Sequence, residues 1–121
     1  MFDRKLVTER LDLIAECLRY LRELAREPEE TFIGSLQAAA AESYLRRALE
    51  SAFDVGRHIL ARQGRRYLAA EYHSIARGLV ELGVVPRTLG DALQRMAAYR
   101  HRLAHLYHPV SDEELLRIMR H

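Results

Sequence analysis

The sequence predicts an all-α protein, an antiparallel bundle of about five helices. Three observations predict it. Apolar residues recur in steps of three and four over long stretches. No stretch alternates convincingly with the period of two that a strand shows. Glycine and proline fall between the periodic stretches, at Pro28, Gly64, Gly83, Pro86 and Pro109. Two long N-terminal helices and a third, late in the chain, are expected to build the bundle, within a single domain spanning residues 1–121.

The first helix is expected over residues 3–27. Val7, Leu11, Ile14, Leu18, Leu21 and Ala25 form its stripe, widened by Leu6, Leu13, Cys17 and Leu24. That spacing is close to the 3.5 repeat of antiparallel bundle packing. Pro28 ends the helix and Glu29-Glu30-Thr31 opens the next. Residues 31–62 read as one long helix, roughly 48 Å at about 1.5 Å per residue. Its stripe passes Leu36, Ala40, Leu45, Ala48, Ala52, Val55 and Ile59, and the alanines at 38–41 permit close helix approach. Gly34 and Gly56 weaken it locally, and Gly64 is the natural C-cap.

Residues 65–72 carry no clear pattern. A short helix follows from about Ser74 to Leu82, stopped by Gly83 and Pro86. Thr88 with Asp91 resembles a capping box for the third major helix, with Asp in place of the usual Glu. Leu89, Leu93, Met96, Ala97, Leu103, Ala104 and Tyr107 form its apolar stripe. Pro109 must end it, since proline has no N–H to donate and disfavours the α region at His108. Ser111 with Glu114 is a full capping box for a last helix through Arg120.

At 121 residues, 49% apolar and 30% charged, the chain has the balance of a soluble globular domain. No run of uncharged apolar residues approaches a membrane span and no signal peptide precedes the first helix, so a cytoplasmic protein is expected. The single Cys17 excludes an internal disulfide framework, and its place on an apolar face makes it a packing residue. Residues 1–50 hold 8 basic and 10 acidic side chains; residues 51–121 hold 11 and 7, a net of +4, plus all six histidines. The later half therefore favours a polyanionic partner.

Chemistry concentrates in residues 99–109, Tyr-Arg-His-Arg-Leu-Ala-His-Leu-Tyr-His-Pro. Arg100 lies in the apolar stripe, seven residues from both Leu93 and Tyr107. A guanidinium there is costly unless it is paired, hydrated or opened onto a cleft. His101 and His105, four apart, share a neighbouring face. Such a pair could hold a metal, but the H-E-x-x-H pattern is absent and no third ligand is implied, so no metal is expected. No Gly-rich phosphate loop and no Ser-His-Asp spacing occurs. Asp54 and His58, one turn apart, read as a local pair.

Arg100, His105 and Tyr107 resemble the Arg-x4-His-x-Tyr signature of the HEPN superfamily. More narrowly, they resemble the HepT-like toxins encoded beside a minimal nucleotidyltransferase antitoxin. His101 stands where that family most often has Asn. The stretches Glu42–Glu50, Asp54–Ile59 and Leu82–Val85 also follow the family's order of elements. Fewer residues follow the motif than in many members of that family, a departure in the final helix.

The resemblance implies a metal-independent endoribonuclease with no cofactor of its own, the toxin of a type VII-like toxin–antitoxin system. Arg plus His suits attack of an RNA 2′-OH on the adjacent phosphate, because histidine exchanges protons near neutral pH and a fixed guanidinium offsets growing phosphoryl charge. It assigns His105 to proton transfer and Arg100 to phosphate and transition-state binding. His101 is a candidate second proton-transfer group or substrate contact, and Arg102 an auxiliary substrate contact. A homodimer would bring two motif helices to one composite site. The antitoxin would use ATP to transfer AMP to Tyr107; without the family context, Tyr107 is an amphipathic residue closing the helix. Tyr99 lacks the motif position. The competing expectation is a non-catalytic helical partner or substrate-binding subunit of a nucleotidyltransferase.

Overall fold

The computed structural model describes residues 4–68, 71–104 and 110–120. Among them are six α-helices, one 3-10 turn and no strand: α1 (Arg4–Leu24), α2 (Glu29–Phe32), α3 (Leu36–Arg62), the 3-10 turn Arg66–Leu68, α4 (Tyr72–Glu81), α5 (Arg87–Ala104) and α6 (Asp112–Arg120). The all-α expectation is met, with α1 and α3 as the long pair and α5 as the third major helix.

One helix more than expected arises because residues 31–62 are not continuous. Gly34 has φ of +75°, a left-handed conformation that ends α2. Ser35 then caps α3, its Oγ accepting from the Ala38 N–H at 3.2 Å. Glycine therefore breaks this helix rather than weakening it. At the far end Gly64 has φ of +73°, and the Arg65 N–H donates to the Leu60 carbonyl at 2.7 Å, the closure expected of a glycine C-cap.

Two further local readings change. The Gly90 N–H donates to the Pro86 carbonyl at 3.0 Å, so α5 begins at Arg87 and Thr88 lies inside it rather than at its cap. Ser111 does cap α6, accepting from the Glu114 N–H at 3.1 Å. The Glu114 carboxylate goes to Arg102.

The core has two parts. Leu21, Phe32, Ala41, Leu45, Leu49 and Leu115 belong to the first, between α1, α2, α3 and α6. Phe53, Leu60, Ile75, Ala76, Leu79 and Ala97 make the second, between α3, α4 and α5. The first half of α3 serves one cluster and its second half the other. Being covered on more than one side, α3 buries Ala38, Ala41, Leu49, Phe53, Gly56 and Leu60 beyond the predicted stripe, while Leu36, in its first turn, is 87% exposed. Leu11 and Leu89, also placed in stripes, are exposed. Cys17 is buried, and that burial raises its thiol pKa, in keeping with packing.

Gly56 lets α3 and α4 approach. A Cβ there would lie 2.7 Å from Ile75 Cγ2 and 3.0 Å from Leu79 Cδ1. The resulting contact of α4 with α3 and α5 fixes the start of α4 beside the C-terminal half of α5.

Candidate functional site

Arg100 leaves α5 three residues after the buried Ala97 and enters the seam between α3 and α4. Its Nη2 donates to Glu50 Oε1 at 3.2 Å, with the arginine side chain 24% and the glutamate 41% exposed. Its Cζ stands 5.0 Å from the ring centroid of Tyr72. That ring stacks in turn on Phe53, with centroids 4.5 Å apart and 17° between planes. A ladder of Phe53, Tyr72 and Arg100 thus runs outward from the core. Cation–π contact orients the guanidinium and Glu50 offsets part of its charge.

The pairing is incomplete. Arg100 Nε is buried and has no hydrogen-bond partner among the described residues. Glu50 takes a single Nη2 donor of the five N–H groups a guanidinium carries. The same side chain borders a cleft of about 470 Å³, lined by Glu71, Tyr72, His73, Ala97, Arg100 and His101. That volume lies within the range of ligand clefts. Of the outcomes open to a guanidinium in an apolar stripe, both pairing and access to a cleft are found.

His101 joins Arg100 on this cleft, as their shared edge of the helix predicts. Arg102 faces another way and bonds Glu114 twice, Nη1 to Oε2 at 2.6 Å and Nη2 to Oε1 at 2.7 Å. This hydrogen bond holds the Glu114 carboxyl below the ordinary carboxylate range and raises the Arg102 pKa further. Arg102 therefore ties α5 to α6. His105 and Tyr107 lie outside the described residues.

The structure adds residues that sequence reasoning passed over. Tyr72 and His73 begin α4, next to the stretch that carried no pattern, and Glu50 was one unremarkable residue of α3. His73 Nδ1 lies 2.7 Å from Gln94 Oε1, while Gln94 Nε2 donates to the His73 carbonyl at 3.1 Å. Asp54, expected to pair within α3, meets Arg57 at 3.2 Å and Arg10 of α1 at 3.7 Å.

The described residues thus form an all-α bundle whose third major helix carries an arginine into a cleft bordered by two histidines. The family described as "Ribonuclease HepT-like" matches residues 14–121, and the chain belongs to this HepT-like family. A comparison with curated proteins finds no match. Among the described residues, no helix is long and apolar enough to cross a membrane.

Proposed function

We propose that this chain is a metal-independent endoribonuclease, the cytoplasmic toxin of a HEPN/minimal nucleotidyltransferase pair. The observation that carries this reading is Arg100 itself. It is a partly desolvated guanidinium, oriented by Tyr72, bonded only once to Glu50 and open to a cleft that His101 shares. An RNA phosphate in that cleft would take the remaining N–H donors and gain most as charge builds on its non-bridging oxygens.

In this reading His105 transfers the proton and Arg100 binds the phosphoryl group. His101 contributes a second proton transfer or a substrate contact. Two copies bring two Arg–His pairs to a shared site. The antitoxin silences it by moving AMP from ATP onto Tyr107, placing bulk and negative charge beside the anion site and excluding RNA.

A second reading, a non-catalytic partner of a nucleotidyltransferase, is favoured by one observation: the Glu50–Arg100 pair and Tyr72 stacking also suit a residue that holds helices together. One experiment separates the two. His105→Ala should abolish both growth toxicity and RNA cleavage while leaving the oligomeric state unchanged; undiminished cleavage by that variant would sink the nuclease reading. The mass gained by the protein on co-expression with its nucleotidyltransferase, mapped to Tyr107 or elsewhere, tests the silencing step.

A further inference from the structure

From the cleft geometry we infer that His73 is a second proton-transfer residue for RNA cleavage, accepting the 2′-OH proton at Nε2. The inference rests on the nuclease reading above and moves the second proton transfer from His101 to His73.

Gln94 sets the form of the imidazole. Its Nε2 donates to the His73 carbonyl, an acceptor only, so the other end of the amide is Oε1. Facing that oxygen at 2.7 Å, Nδ1 of His73 must be the protonated nitrogen. The neutral ring then carries its lone pair on Nε2. His73 is exposed and lines the cleft shared by Arg100 and His101. Both hydrogen bonds cross from α4 to α5, so the ring is held to the motif helix from outside it.

Position along α5 gives the second argument. Gln94 precedes Arg100 on this helix by six residues. In-line displacement at phosphorus places nucleophile and leaving group on opposite sides of the phosphate. With Arg100 binding the phosphate, a base held at Gln94 takes one of those two sides. The 2′-OH gives its proton to His73 Nε2 as O2′ bonds to phosphorus. The bond from phosphorus to O5′ breaks, and O5′ takes a proton from protonated His105. The products are a 2′,3′-cyclic phosphate and a 5′-OH, with the protons returned through solvent. His101 is left as a substrate contact. Glu71, Arg100 and His101 border the same cleft, and Arg77 lies one turn further along α4.

The test uses purified full-length protein and a labelled single-stranded oligoribonucleotide of mixed sequence, followed by single-turnover cleavage across pH. His73→Asn keeps a donor at the place of Nδ1 and removes Nε2. It should melt like the wild type, cleave about 100-fold more slowly and lose the acid limb of its rate profile. Gln94→Glu puts a carboxylate against Nδ1, which stabilises the imidazolium, so the acid limb should move to higher pH. Wild-type rate and an unmoved limb in His73→Asn would overturn the assignment to His73 while Arg100→Ala remained inactive. Full activity in Arg100→Ala would instead overturn the nuclease reading itself.

Discussion

Arg102 and Glu114 form a two-pronged ion pair, 2.6 and 2.7 Å, that fastens the last turn of α5 to the first turn of α6. Ser111 accepts from the Glu114 N–H at the same point, so the helix that follows residues 105–109 is held where it starts. At its far end Arg120 donates to the carbonyls of Ala25 and Glu27, at 3.1 and 2.8 Å. These groups close the end of α1.

This pair predicts a pH-dependent contribution to stability. Glu114 has its folded pKa lowered, chiefly by the Arg102 hydrogen bond. Its contribution is therefore present above the unfolded carboxyl pKa and is lost as pH falls through the lower, folded value. Glu114→Gln should lower Tm by a few degrees at pH 7, and the gap from wild type should close in acid. Thermal melts from pH 7 to pH 3 check it; a gap that widened in acid would refute the assignment.

The Tyr72 platform predicts a separation between ring and hydroxyl. Tyr72→Phe keeps the stack on Phe53 and the face under Arg100, and should cleave RNA at near the wild-type rate. Tyr72→Leu loses both, worth about 1 kcal/mol at a partly exposed cation–π site, and should slow cleavage several-fold or more. Initial rates on one oligoribonucleotide for the two variants, alongside their melting curves, decide whether the ring orients the arginine.

Charge alone should not replace the guanidinium. Arg100→Lys retains a cation but presents a compact ammonium in place of a planar fork able to meet Glu50 and a phosphate together. We expect a loss of about 100-fold in cleavage with the fold intact. Comparable rates for lysine and arginine would show that only net charge matters at this position.

Gly56→Ala should destabilise the whole protein. The added Cβ would meet a branched methyl of Ile75 at 2.7 Å, and that methyl cannot rotate away without moving the core. Alanine gains about 1 kcal/mol in helix propensity, while overpacking costs about 1–3 kcal/mol. A net loss is expected in urea unfolding, together with lower activity if α4 shifts away from α5.

Much of this was legible in the chain. Period and punctuation placed α1, the body of α3, α4 and α5, because amphipathic spacing reflects burial in a bundle directly. Gly34 was harder. A glycine in an apolar-periodic stretch reads as a weak point, and only its left-handed φ makes it a break. The buried Phe53 and Leu60 follow from α3 being covered on several sides, which a single-stripe reading does not anticipate, whereas Leu36 stands exposed at the start of the helix. At the site, the cost of a guanidinium in an apolar stripe singled out Arg100. The residues around it were not singled out. Glu50, Tyr72, His73 and Gln94 meet through tertiary packing, and none has a spacing to Arg100 that helical periodicity could reveal.

The two-part core has a consequence for the site. α3 is 27 residues long, roughly 40 Å of continuous helix. Glu50 sits on it between Leu49, which belongs to one cluster, and Phe53, which belongs to the other. The carboxylate that meets Arg100 is therefore mounted near the fulcrum of a beam clamped at both ends. A volume change in either cluster that tilts the beam would be transmitted to the guanidinium, so substitutions far from the cleft could tune it without touching it.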